Sequence, residues 1–218
     1  MKKMVNESTN ENITFVKLDL AEIKNEIESL KHQIYNRFSS IDILLNIAGS
    51  LIVKDFMKLS DEECREMMDV NFFGYVNCTK AALPNLVRRK GSIVAISSAA
   101  GFAPVLGRTG YCASKHAIHG FFNTLRAELK PAGVHVMIVC PGFTRTNLQV
   151  RALDPRGELN VHARTKVGRE ASPEEVAAAI VRGAARKKDL LVLSGTGKIS
   201  YTLFRLSPNC YTWLMSRS

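Results

Sequence analysis

Tyr111 and Lys115 stand four residues apart in Tyr111-Cys112-Ala113-Ser114-Lys115, and Ser98 lies thirteen residues before the tyrosine in Ile96-Ser97-Ser98-Ala99-Ala100-Gly101. On a helix, positions i and i+4 share a face, so the ammonium of Lys115 can favour the phenolate of Tyr111. A tyrosine ordinarily titrates near ~10, and each pH unit by which it is lowered corresponds to about 1.4 kcal/mol. A phenol tuned in this way exchanges protons with an alcohol or carbonyl oxygen near neutral pH. A serine hydroxyl at a strand end facing it would hydrogen-bond the same oxygen as its charge develops. The chemistry implied is the interconversion of a carbonyl and an alcohol. By itself the tyrosine–lysine pair also describes an ordinary surface helix pair, so the rest of the chain decides how it is read.

The elements that would position these groups alternate. Ile13 to Asp19 is a short β-branched run, and Leu20 to Phe38 places Ile23, Ile27, Leu30 and Ile34 at helical spacing. Ile41 to Asn46 is an apolar run too short for a helix. Asp61 to Val87 reads as one long helix, opened by Ser60 with Glu63 as its capping-box partner and stopped at Gly91. Ser92 to Ser97 is a second buried-type strand, followed by a helix from about Tyr111 to Lys130 that Pro131 and Gly133 close. Val134 to Cys140 and Leu190 to Leu193 are further strands, with a helix starting at Ser172-Pro173-Glu174-Glu175 between them. Continuous apolar strands alternating with helices predict an α/β fold, a doubly wound parallel sheet with helices on both faces, in one domain over residues 1–218 with a tail from 194.

Further motifs occur in order along these elements: Asn46-Ile47-Ala48-Gly49 at a strand end, Asn71 within the long helix, and Pro141-Gly142-Phe143-Thr144-Arg145-Thr146 after the strand that follows the tyrosine helix. Alone, the two asparagines read as caps or satisfied buried amides and Pro141-Gly142 as a turn. As an ordered set with Ser98, Tyr111 and Lys115 they resemble the short-chain dehydrogenase/reductase family from about Ile13 to Leu193. The resemblance implies a Rossmann-like fold and a hydride-transferring oxidoreductase that uses NADP or NAD on a small-molecule carbonyl or alcohol, assembled as a homo-oligomer when complete. It makes Tyr111 the general acid/base, Lys115 its partner and a ligand of the nicotinamide ribose, Ser98 the group that polarises the substrate oxygen, and Asn71 the holder of a relay water. Asp19 would meet the adenine, Asn46, Ala48 and Gly49 would line the adenosine side, and Pro141, Gly142, Thr144 and Thr146 would cradle the nicotinamide and phosphates.

The family's glycine-rich phosphate turn, TGxxxGxG, has no counterpart, because the first glycine of the chain is Gly49. The expectation is an N-terminally truncated product of a reductase about 40 to 50 residues longer, the size of a β-α-β segment. The alternative is a non-catalytic remnant that cannot hold a pyrophosphate and acts as an interaction subunit. Gly195-Thr196-Gly197-Lys198 is not a phosphate loop either, since residue 192 is Val where a glycine is needed.

Composition narrows the rest. The 218 residues carry a formal charge of +10, divided as −4 over the first 70 and +14 over the remainder. The lysines and arginines are scattered with no reader motif, so no nucleic-acid partner is expected. Arg151, Arg156, Arg164, Lys166 and Arg169 fall between Gln149 and Glu170, where the resemblance places substrate choice. The tail sets Ile199, Leu203 and Leu206 on one helical face, with Trp213 and several basic residues around it. That pattern suits contact with an anionic membrane surface and a lipidic substrate; the other reading packs the tail over the cleft or at a subunit interface. Five cysteines without ligand spacing indicate reduced thiols of a cytosolic compartment, and His116 and His119 are expected to be surface or packing residues, with no metal site.

Overall fold

The computed structural model describes residues 19–20, 27–28, 31–32, 35, 40–145 and 169–217. The first predicted strand lies outside them apart from Asp19, as do Thr146, residues 149–168 and most of the helix predicted at Leu20 to Phe38. Of that helix, Leu20 and residues 27, 28, 31, 32 and 35 are described; Leu20 is a bend and the other five are helical.

Four strands follow: β1 (Ile43–Asn46), β2 (Ser92–Ile96), β3 (His135–Cys140) and β4 (Leu190–Val192). They pair in sequence order and every pairing is parallel, with Leu45 beside Val94, Val94 beside Met137 and Val139 beside Leu191. Parallel neighbours require crossovers, and helices supply them. Between β1 and β2 run α1 (Asp61–Met68) and α2 (Gly74–Arg89), between β2 and β3 runs α3 (Thr109–Leu129), and between β3 and β4 runs α4 (Pro173–Ala185). After β4 come α5 (Gly195–Leu206) and α6 (Pro208–Met215).

Local chemistry fixes these boundaries. Ser60 and Ser172 each cap a helix and are answered by Glu63 and Glu175, so both capping boxes close with both hydrogen bonds. Lys90 ends α2 in the left-handed region, and Gly133 (φ 75°) turns the chain from α3 into β3. The expected single helix from Asp61 to Val87 is instead two α-helices joined by a π-helical turn, Asp69–Phe73. The extra residue in that turn carries Asn71, whose buried amide is engaged on both sides; such π turns collect at functional positions.

The central strands are buried on both faces, which explains their continuous apolar character. One face of β2 and β3 presents Ile93, Ala95, Val136, Ile138 and Cys140 to Tyr75, Leu86, Ile118 and Phe122. The other presents Val94, Met137 and Val139 to Ile180 of α4. On β1 that second face is open: Ile43 is 52%, Leu45 47% and the following Ile47 61% exposed. The tail belongs to the first face. Tyr211 is buried there, Tyr201 meets Phe102 edge-on at 5.0 Å between ring centroids, and Phe204 packs on Tyr211. The face predicted from Ile199, Leu203 and Leu206 is thereby split. Leu203 packs on the core while Ile199 and Leu206 face out, because the aromatic residues Tyr201 and Phe204 set the helix rotation.

Candidate active site

In open parallel sheets the strands' carboxyl ends line the crevice where ligands bind. Here those ends carry Asn46 to Gly49 after β1, Ser97 and Ser98 after β2, and Pro141 and Gly142 after β3. Helix α3 buries Ser114 and Lys115 and carries the half-buried Tyr111 one turn before the lysine.

Lys115 is the centre of the arrangement. Its Nζ is buried, donates to the carbonyl oxygen of Ile96 at 3.1 Å, and lies 5.6 Å from the ring centroids of both Tyr75 and Tyr111. No carboxylate pairs with it among the described residues, and burial pulls its pKa down to about 8. Tyr111 is close enough to Ser98 for that hydroxyl to favour the phenolate, yet burial outweighs it and pushes the phenol above its ordinary value. This reverses the direction expected from the sequence. The lysine addresses the ring of Tyr111 and the carbonyl of Ile96.

Asn71 joins the first crossover to the tyrosine helix. Its Oδ1 accepts from the Ser50 amide at 2.8 Å, and its Nδ2 donates to the Ser50 carbonyl at 2.9 Å and to Ser114 Oγ at 3.0 Å. Ser114 in turn donates to the Tyr111 carbonyl at 2.8 Å. Gly49 rests on the same group, for a Cβ there would stand 3.0 Å from Asn71 Oδ1 and 3.8 Å from Lys115 Nζ. Asn71, Ser98, Tyr111, Lys115 and Gly49 are therefore one cluster.

The remaining expected positions are more dispersed. Asn46 is buried at the end of β1 and donates to Thr79 Oγ1 at 3.2 Å, while Ala48 and Gly49 are exposed. Pro141 and Gly142 leave β3 against the tail: a Cβ on Gly142 would meet Ser194 Cβ at 2.6 Å. Thr144 donates to the Gly142 carbonyl at 3.2 Å and bridges to Ala171. Asp19 is exposed, and its neighbour Leu20 packs against Gly74.

The sequence reading missed several members. Tyr75 donates to the carbonyls of Ala48 and Ile96, and nothing but its place four residues after Asn71 sets it apart from a core aromatic. Behind the site Cys140 Sγ lies 3.6 Å from His119 Nε2, which also faces Phe102. Burial pushes the Cys140 thiol up to about 12 and holds His119 neutral down to about 4. His116 is exposed, and no group of three metal-ligating side chains occurs among the described residues. None of the five cysteines is in a disulfide, and no described helix is long and apolar enough to cross a membrane.

A parallel Rossmann-like sheet with a serine, a tyrosine and a lysine gathered at its carboxyl edge defines a class of α/β oxidoreductase. Comparison with known proteins agrees: the model of the family described as short chain dehydrogenase matches residues 1–156, and the chain belongs to that family. It is 35% identical over 206 residues to the dehydrogenase/reductase SDR family protein 7-like of Drosophila melanogaster, covering 94% of this chain and 63% of that protein. The chain thus spans less than two thirds of the length of the curated relatives it matches. A solved short-chain dehydrogenase from Streptomyces avermitilis superposes with a TM-score of 0.77 at 28% identity, over 93% of this chain and 79% of the other. An alcohol dehydrogenase from the archaeon Thermococcus sibiricus, solved with 5-hydroxy-NADP, superposes with a TM-score of 0.66 at 25% identity, over 81% and 72%.

Proposed function

We propose that this chain carries the proton-transfer side of an NADP- or NAD-dependent oxidoreductase that interconverts a small-molecule carbonyl and a secondary alcohol. The observation that carries the reading is the convergence of Ser98, Tyr111 and Lys115 at the carboxyl ends of β1 and β2. The residues present suit such a cofactor, because Gly49 leaves the backbone bare beside Lys115 Nζ. When bound, the dinucleotide would supply or accept the hydride. Tyr111 would give its phenolic proton to the carbonyl oxygen on reduction and recover it on oxidation. Ser98 would share that oxygen as charge develops on it. Lys115 would meet the ribose and steady the phenolate left on Tyr111. Asn71 would fix Ser50 beside Lys115, its Oδ1 keeping a lone pair for a relay water. Asn46, Ala48 and Gly49 on the adenosine side, Asp19 at the adenine, and Pro141, Gly142, Thr144 and Thr146 at the nicotinamide and phosphates rest on the family resemblance.

A second reading enters at β1. Ile43, Leu45 and Ile47 leave an apolar row exposed there. That row favours a non-catalytic interaction subunit that does not hold the cofactor. A thermal melt of the chain with millimolar NADPH or NADH separates the two, since a ligand at 100 times its Kd adds about 2.7 kcal/mol to the folded state. A cooperative melt raised by one cofactor, with turnover abolished in Tyr111→Phe, supports the enzyme. A melt blind to both cofactors supports the subunit.

A further inference from the structure

Tyr75 is fully buried and aromatic, and Phe122 packs edge-on against it at 6.4 Å, so a phenylalanine would satisfy the packing. Its hydroxyl is nonetheless placed between two main-chain acceptors, Ala48 O at 2.9 Å and Ile96 O at 3.2 Å. A hydroxyl has one proton, so these carbonyls share it. Ile96 O is also the acceptor that holds the Lys115 ammonium, and the face of the Tyr75 ring lies under that ammonium at 5.6 Å. One helical turn earlier, Asn71 grips Ser50 through both its amide and its carbonyl. Asn71 and Tyr75 are thus two hooks, four residues apart across the π turn, that hold residues 48–50 over Lys115. Burial keeps the phenol of Tyr75 protonated far above its ordinary range, so this hook stays a donor at every working pH.

We infer that Tyr75 is a positioning residue: its hydroxyl clamps the turn after β1 to the end of β2 and shares the carbonyl on which Lys115 is anchored. The inference rests on the reading of Lys115 as the partner of Tyr111 and adds a group that touches neither substrate nor cofactor. Because Tyr75 competes with Lys115 for Ile96 O, losing the hydroxyl leaves that carbonyl a better acceptor for the ammonium, and the lysine becomes more basic. The other groups around Lys115 are Tyr111 and His119 of α3, Cys140 of β3 and Asn71 of the π turn, and the substitution removes none of them.

The test is Tyr75→Phe, with Val76→Ala on the same helix as a control that loses buried surface without touching either carbonyl. Amide hydrogen exchange of residues 47–50 is expected to quicken about three- to tenfold in Tyr75→Phe, the loss of one hydrogen bond, while amides of β2 and β3 keep their protection. In turnover assays the pH profile of kcat/KM is expected to move to higher pH and KM for the cofactor to rise more than kcat falls. The control should lower the melt without either change. Unaltered exchange at 47–50 overturns the clamp, and an unshifted pH profile overturns the link to Lys115. Absence of turnover in the wild-type chain would instead count against the proposed function, and the exchange experiment would still decide the clamp.

Discussion

Lys115→Met is expected to make the chain more stable and inactive. The amine is buried with a carbonyl as its hydrogen-bond acceptor, and burial lowers its pKa from an ordinary 10.5 to about 8. At about 1.4 kcal/mol per pH unit, holding the charge inside costs about 3 kcal/mol well below pH 8. Methionine fills nearly the same volume without charge. It forfeits the bond to Ile96 O, about 1 kcal/mol, although Tyr75 still donates to that oxygen. A net gain of about 2 kcal/mol at pH 7 remains. Its pH dependence has a definite sign. Between pH 8 and 10.5 the unfolded chain binds the proton that the folded chain has released, so wild-type stability rises with pH through that window. The variant has no such rise, and its advantage should shrink to about zero by pH 9.5. Cys78, Cys112 and Cys140, all pushed up by burial, pull stability down over the same range in both proteins. The difference between the two urea unfolding curves, measured at pH 7 and pH 9.5, therefore carries the test. A variant less stable than wild type at pH 7, or a gap that does not change with pH, would refute the account of Lys115 as a buried, unpaired charge.

Acid should act through His119. Its folded pKa of about 4 lies below the ordinary 6.5, so the neutral form stabilises the fold above pH 6.5 and that contribution is lost as pH falls toward 4. His119→Leu should flatten the melting temperature between pH 6.5 and 4, and an unchanged acid slope would assign it to other groups. Gly91→Ala should cost about 2 to 3 kcal/mol, because the new Cβ would stand 2.4 Å from the Asp42 carbonyl oxygen and 2.9 Å from Leu86 Cδ2. A urea midpoint within experimental error of wild type would show that the β1–β2 join gives way more readily than its contacts imply.

Much of this is legible in the sequence alone. The β2 and β3 runs have no polar position between Ile93 and Ala95 or between Val136 and Cys140, and only strands buried on both faces need that pattern. Ser60 with Glu63 and Ser172 with Glu175 announce their helix starts because capping is a local interaction. What stayed hidden is what depends on distant partners. The π turn at Asn71 follows from contacts with Ser50 and Ser114, 21 and 43 residues away, and periodicity within the helix carries no trace of them. Tyr75 looks like any core aromatic until two carbonyls arrive at its hydroxyl. The rotation of the tail helix is hidden for the same reason: Phe102, 99 residues before Tyr201, selects which side of α5 turns inward.

The departures from good folding practice in this chain sort into two kinds, and the difference bears on function. A buried lysine with no carboxylate partner among the described residues, a π turn in a long helix and a tyrosine hydroxyl in an aromatic core all violate local rules, and all lie within one cluster around Lys115. Departures that converge on one point are what a site selected for chemistry leaves behind. The open face of β1 is of the other kind. Ile43, Leu45 and Ile47 continue the apolar surface that α4 covers over Val94 and Met137, yet among the described residues none caps them, and the row itself carries no titratable or nucleophilic side chain. That face offers water an apolar row and no chemistry in return, so its explanation lies in packing. Variants around Lys115 should therefore trade stability against activity, as Lys115→Met does. Polar substitution at Leu45 should bear on solubility or assembly and leave the pH behaviour of Lys115 where it is.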